Sequence, residues 1–466
     1  MDFFIKPQWV TDNQLLIYNI ALILYFVYLM YKYSKCNIAR YIIFLFTVGA
    51  FTDLGRLLSI GTSATHIYIV ISLIWGIALI YKYGFNLNRR GIIICFLLYI
   101  FYFIFNSVVT HNDSIFLVVS QSIKYTIPIV TFFAVDSFIK KTKAGSLSLL
   151  HNVINDIIVA QILFSIIKLL ILRSTMEGWV GSLSGLVGGG AGTSFPLLCL
   201  LWLSFVTKMH FSRKFWYYII GLLFIGFMTG KRAIWLLFPL EFIVLYVYYR
   251  VKNPLLLLKY IVPAFIMGCL FLYLGLRLSP TLNPDKKVWG RFDLEYAYEY
   301  AFRYSTGSNM HVKDEDLGLK EGDGRLGAAL LFWNDFIDIF NYNQQVLFGI
   351  GNEKIKYYDK AEYSNRDVNL GVSSRGGITG IVFMYFISGV IGVILFLSYF
   401  LQIFFLPGRA KFKWIALGVV MFDFILYNGQ TVNNVPMQSM LLVFLVIQSY
   451  SQRLKLHNNE NINSSK

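Results

Sequence analysis

Arginine is the residue whose placement suggests chemistry in this chain. Arg173, Arg232, Arg291, Arg303, Arg325 and Arg375 fall in connections otherwise poor in basic residues, or in the long polar segment 277–375. A guanidinium is a planar fork of donors that fits phosphate oxygens two at a time, and it stays charged at any physiological pH. Several of them on one face suit a phosphate or diphosphate headgroup. Arg232 is the sharpest case, because it stands beside Lys231 at the start of an apolar run. Charge buried there is costly unless a partner meets it. The structural alternative is that the loop arginines pair with nearby carboxylates such as Asp293, Glu295, Glu299 and Asp323.

Other ionisable groups are weaker candidates. Lys124 lies inside the apolar block 115–139, flanked by Gln121 and Tyr125. It either lines the same cavity as the arginines or pairs with a polar neighbour, and an intramembrane charge is functional by default. Asp156 and Lys168 sit near opposite ends of their block and read as structural groups able to snorkel. His311 is the one histidine in the long segment and is followed by Asp314, Glu315 and Asp316. It is a candidate general base, although a lone exposed histidine is more often an ordinary surface residue. No H-E-x-x-H pattern or His/Asp set with metal spacing occurs, so no metal site is expected, and no P-loop is present. The glycine-rich stretch 185–192 lacks the Lys-Ser/Thr ending of a phosphate loop and reads as a turn. Cys36, Cys95, Cys199 and Cys269 have neither metal nor disulfide spacing.

These residues are spaced by long apolar blocks. Of the 466 residues, 57% are hydrophobic and 14% charged, where a soluble domain has roughly 25% charged residues. The apolar runs reach the roughly 20 residues that a helix needs to cross a bilayer, and they lack strand-like alternation. About thirteen spans follow (range about 12–14), beginning near Leu15, Tyr41, Ile67, Gly91, Ile115, Val153, Ser194, Phe215, Ala233, Leu258, Gly377, Lys413 and Val435. The expected fold is therefore all-α, a polytopic transmembrane bundle. Its parts are an N-terminal bundle over 1–276, a polar loop domain over 277–375, further spans over 376–451 and a disordered tail over 452–466. Met1–Gln14 has no basic n-region leading into a short apolar core, so the first block is expected to remain as a span.

Net charge is +16, which in a soluble chain would suggest nucleic acid. Here the charge marks topology instead. Lys32, Lys35 and Arg40; Lys82, Arg89 and Arg90; Lys140, Lys141 and Lys143; Lys208, Arg213 and Lys214; Arg250, Lys252 and Lys259; and Arg409, Lys411 and Lys413 occupy alternate connections. Those connections are cytoplasmic by the positive-inside rule, as is the tail with Arg453 and Lys455. Segment 277–375 then faces outward, and it holds about 15 of the 25 acidic residues. Within it, 327–340 (GAALLFWNDFIDIF) has the spacing of an amphipathic helix lying on the membrane or the bundle.

The stretch 322–351, GDGRLGAALLFWNDFIDIFNYNQQVLFGIG, resembles the O-antigen polymerase and ligase superfamily. Those proteins carry an outer-loop arginine, a tryptophan-containing amphipathic helix and a G-hydrophobic-G turn, and Arg325, Trp333, Gly349 and Gly351 take those places. The run 377–392 (GITGIVFMYFISGVIG) is similar to the family's following span, and Gly230-Lys231-Arg232 resembles its upstream glycine–arginine element. The resemblance implies a multi-span glycosyltransferase of GT-C-like architecture in the bacterial inner membrane, with a periplasmic active face. Its donor and acceptor would be undecaprenyl-pyrophosphate-linked glycans. Neither metal nor nucleotide cofactor would be required, and a chain-length regulator protein would be a partner.

By the same resemblance, Arg232, Arg291 and Arg325 would hold the lipid pyrophosphate or glycan phosphate, with Arg303 beside them; Lys231, Lys124, Trp333 and Arg375 are further candidate substrate contacts. A carboxylate or His311 would accept the acceptor's proton. Ligases of the superfamily place a histidine shortly before the span after the loop. Here that region reads NLGVSSR over 369–375, which favours polymerase over ligase. Polymerases with an acidic residue opening that span differ too, since Arg375 and Gly376 stand there. The other classes to separate are a lipid-linked oligosaccharide flippase and a scaffolding membrane protein.

Overall fold

The computed structural model describes residues 11–47, 63–86, 89–142, 145–172, 180–183, 191–229, 232–250, 257–278, 282–287, 289–299, 379–404, 410–426, 429 and 434–464, together with 333, 336–337, 340 and 342–353. Among them the ordered elements are all helical. In chain order they are α1 Asp12–Lys32, α2 Asn37–Thr47, α3 Ser63–Tyr83, α4 Arg90–Phe105 with a π-turn Asn106–Thr110, α5 Ile115–Thr142, α6 Gly145–Leu172, α7 Ala191–Thr207, α8 Arg213–Thr229, α9 Arg232–Arg250 and α10 Leu257–Leu278. A short α11, Asn343–Phe348, precedes α12 Gly380–Phe404, α13 Ala410–Leu426 and α14 Val435–Ser464. The last of these runs through most of the stretch expected from sequence to be a disordered tail.

Among the described residues, five helical stretches are long and apolar enough to cross a membrane: Asp12–Lys32, Arg90–Thr110, Ile115–Thr142, Gly145–Ile171 and Gly380–Phe404. Shorter apolar helical stretches lie at Asn37–Thr47, Ile67–Tyr83, Gly192–Thr207, Gly268–Leu278 and Val435–Ser451. The surface supports a lipid solvent. Large apolar side chains such as Leu24, Tyr28, Ile74, Leu97 and Phe101 stand exposed on α1, α3 and α4. Contiguous apolar surface of that kind is rare on a soluble monomer. In hydrocarbon it costs nothing, whereas backbone groups must be paired internally, which helices achieve.

The main core cluster is built where α3 and α14 pack on α5, α12 on α4 and α7 on α9, and a small second cluster joins Leu276 of α10 to Leu282 and Ala297. Aromatic rings dominate the main cluster: Tyr99 meets Phe103, Tyr125, Phe396 and Tyr399 at centroid separations between 5.4 and 6.2 Å. At the end carrying the basic connections, the cations find helix C-terminal carbonyls. Arg250 donates twice to the Met209 carbonyl after α7 (3.0 and 2.9 Å), and Lys141 donates to the Lys82 carbonyl in the last turn of α3 (3.1 Å). Positive charge there complements the helix dipole. Buried Asp136 takes the Asn86 amide and lies 3.6 Å from the Arg89 guanidinium, while Lys32 pairs with Asp156 at 2.6 Å.

The opposite end is where segment 277–375 leaves the bundle; we call it the distal end. Here residues 180–183 fold down onto α6. The Gln161 amide donates to the Phe46 carbonyl (3.0 Å) and to the Ser182 hydroxyl (2.9 Å), and its oxygen accepts from the Ser182 N–H (2.9 Å). Ser165 accepts from the Gly181 N–H at 2.9 Å. Irregular backbone buried among apolar helices is tolerated only with its groups paired in this way. Lys168 is fully buried here, with its ammonium 5.4 Å from the Tyr18 ring centroid. Sequence allowed it to snorkel, but here it is buried beside Tyr18, whose hydroxyl donates to the Gly181 carbonyl at 3.1 Å.

Candidate functional site

Two clusters at the distal end bring polar groups together. The first joins the ends of α7, α8, α12 and α13. The Ser194 hydroxyl on α7 lies 3.5 Å from the Asp423 carboxylate on α13, and both are buried. Asp423 stands one turn from the end of α13, and its carbonyl accepts from the Gly429 N–H at 2.9 Å. Gly380, opening α12, fits against Gly429 and Phe424 so closely that a Cβ would meet the Gly429 Cα at 2.7 Å. Beside it Thr379 is buried with its hydroxyl unpaired. Gly192 of α7 packs against Thr229, where a Cβ would lie 2.8 Å from the threonine Cβ. Thr229 ends α8, and Arg232 begins α9 a few residues on. The start of α9 is thus set beside a group of hydroxyls and a carboxylate. Its first N–H groups have no partner within the helix, so this end carries partial positive charge.

The second cluster seats the turn after α11. Asp113, in the connection between α4 and α5, accepts the Asn352 N–H at 2.9 Å and the Glu353 N–H at 3.1 Å. Ser114 N–H donates back to the Glu353 carboxylate at 3.2 Å. The Asn106 amide (2.7 Å) and the His111 Nε2–H (2.9 Å) both donate to the Phe348 carbonyl. On the other side Ile350 N–H donates to the Phe386 carbonyl of α12 at 2.7 Å. The Tyr102 hydroxyl donates to the Ser388 carbonyl, also at 2.7 Å.

Three glycines make this fit possible. Gly349 has φ 75° and Gly351 φ 85°, and α12 is broken at Gly389, with φ 63° and ψ −171°. Positive φ of this kind costs an ordinary residue steric strain that glycine avoids. Gly351 also lies against His111, where a Cβ would approach the imidazole at 2.7–2.8 Å. The break frees the carbonyls of Phe386 and Ser388 from the helix ladder, and the turn and Tyr102 take them.

The residues singled out from sequence are placed unevenly. Arg232 is the first residue of α9, described by its backbone. Arg291 points its guanidinium at the Asp293 carboxylate, 3.7 Å away, in an exposed pair. This is the pairing with a loop carboxylate that the structural alternative describes, and an exposed pair of this kind is worth little. Lys124 is half-buried on α5 beside Tyr125, whose hydroxyl meets the Met384 sulfur at 3.7 Å. Trp333 is exposed, whereas Phe340, further along the expected amphipathic helix, is buried against Tyr385 and Phe386. Lys231, Arg303, His311, Arg325 and Arg375 lie outside the described residues, as does most of 327–340.

Sequence reasoning passed over Asp423 and Glu241, each a lone acid in an apolar run and so a signal in its own right. Glu241, deeper on α9, is buried with both oxygens unpaired. No family model matches the chain, and no curated protein matches it.

Proposed function

We propose that this chain is a metal-independent membrane glycosyltransferase that joins undecaprenyl-diphosphate-linked repeat units into an O-antigen or similar surface polysaccharide. The reaction would take place at the outer face of a bacterial inner membrane. The growing chain leaves its lipid diphosphate as an acceptor hydroxyl attacks the anomeric carbon. The carbon–oxygen bond to diphosphate breaks, its electron pair goes to the leaving phosphate, and a base takes the hydroxyl proton. Fixed cationic donors where that charge develops are the largest lever a protein has on such a step. Arg232 and Arg325 supply them in this reading, with Arg303 and Arg375 as further substrate contacts and Arg291 least engaged.

The observation that carries the reading is the seat of the Gly349–Gly351 turn. This turn belongs to the motif that resembles the family, and it is clamped onto helix ends at the distal end of the bundle. The arginine-bearing segment is thereby tied to the bundle face on which α9 begins. The alternate basic connections put that face outside, with about thirteen spans and a cytoplasmic C-terminus.

A second reading, a flippase for the same lipid, draws support from the buried Gln161, Ser165 and Lys168 around the non-helical segment 180–183. Buried polar groups within a membrane bundle often mark a substrate path. The surface glycan of a strain lacking the gene separates the two. The polymerase leaves single repeat units capped on the lipid anchor. Loss of all surface glycan would replace it with the flippase or a ligase.

A further inference from the structure

We propose that Asp113 is a positioning residue for chain extension, anchoring the long segment to the bundle at Asn352 and Glu353. The inference rests on the polymerase reading and deepens it. Asp113 lies in the connection after α4, is 4% exposed, and spends one carboxylate oxygen on each of two successive backbone N–H groups. Charge-assisted bonds of this kind are about twice as strong as neutral ones. No side chain other than a carboxylate presents two acceptors at that spacing. An asparagine would turn one acceptor into a donor facing an N–H.

The rest of the seat is built around that contact. The Asp113 N–H donates to the Ser107 carbonyl at 2.9 Å, which fixes the connection on the π-turn that ends α4. The Phe348 carbonyl can only accept, so both Asn106 and His111 donate to it, and His111 does so whether its ring is neutral or protonated. Glycine at 351 lets the chain pass His111 and Asp113 at contact distance. In the chain this anchor stands between Arg325 and Arg375. In the polymerase reading, it is this segment, carrying both arginines, that Asp113 ties to the bundle. Misplacement of about 1 Å can cost on the order of 100-fold in rate.

The test uses the purified full-length protein in lipid nanodiscs, with undecaprenyl-diphosphate-linked repeat units as substrate and amide hydrogen exchange as a second measurement. Asp113→Ala should lower kcat for extension at least about tenfold, with KM within about twofold and the melting temperature little changed. The Asn352 and Glu353 amides should exchange much faster than in the wild type. Asp113→Asn should resemble Asp113→Ala. Ser107→Ala, which removes a buried hydroxyl without a partner, should behave as wild type.

Unchanged kcat in Asp113→Ala overturns the proposal, as does unchanged protection of the two amides. A rise in KM alone would make Asp113 a substrate contact instead. Activity that falls only in step with the folded fraction would make it merely structural. If the wild type itself joins no repeat units while Asp113→Ala still releases the two amides, the polymerase reading fails, and this role for Asp113 fails with it.

Discussion

Arg232→Ala is expected to abolish chain extension while the protein remains folded in the membrane. Arg232 is the first residue of α9, at the distal end and a few residues from Thr229. A cation at a helix N-terminus opposes the macrodipole, typically by about 0.3–1 kcal/mol. Removing it should therefore not weaken the helix, so lost activity cannot be put down to lost structure. What the position gains is a guanidinium beside free N–H groups, a combination suited to an anion. Loss of one such donor costs roughly 100- to 1,000-fold in rate. In a gene-deletion strain carrying the variant, the glycan ladder should collapse to single repeat units at wild-type protein level. Arg232→Lys should rescue poorly, because an ammonium cannot bridge two phosphate oxygens in the plane of a fork. A full ladder from Arg232→Ala would remove Arg232 from the site.

Gly349→Val carries the largest expected effect on the structure. Gly349 has φ 75° and ψ −159°, a region nearly closed to residues with a Cβ. A Cβ built there would lie 2.6 Å from the Phe386 carbonyl oxygen and 2.7 Å from the Ile387 carbonyl carbon and the Ser388 nitrogen. These are backbone atoms of α12 and cannot swing aside as a flexible side chain would. Strain at φ costs about 1–3 kcal/mol and overpacking about as much again. Together, at about 2–6 kcal/mol, they rival the hydrogen bonds that hold the turn, which are worth about 1 kcal/mol each. The turn should leave its seat, so that the Ile350 and Asn352 amides lose exchange protection and extension is lost with them. Retained protection at both amides would show that the seat tolerates a side chain there.

The long helices were legible in the sequence because each is written locally, as an apolar run. The run from Ile115 to Thr142 needs no distant residue to be recognised, and the basic connections repeat at alternate ends. The seat of the turn was legible only by halves. Gly349 and Gly351 stood out as a spaced pair, but Asp113 and Asn352 are 239 residues apart, and nothing near Asp113 announces what it holds. The burial of Lys168, read from sequence as a structural group able to snorkel, was hidden for a related reason. Position near a block end suggests snorkelling, and only the tertiary placement of Tyr18 and residues 180–183 buries it. Asp423 was within reach of sequence reasoning, since an acid in the run from Ala410 to Leu426 carries a desolvation cost that demands a partner.

The most direct test of the central claim is reconstitution. Purified protein in liposomes would receive undecaprenyl-diphosphate-linked repeat units, with no nucleotide or added metal, and lipid products would be followed over time. The account predicts joined repeat units on one lipid with release of undecaprenyl diphosphate in equal number. Movement of intact lipid-linked units across the bilayer, with no bond formed between them and no diphosphate released, would contradict it.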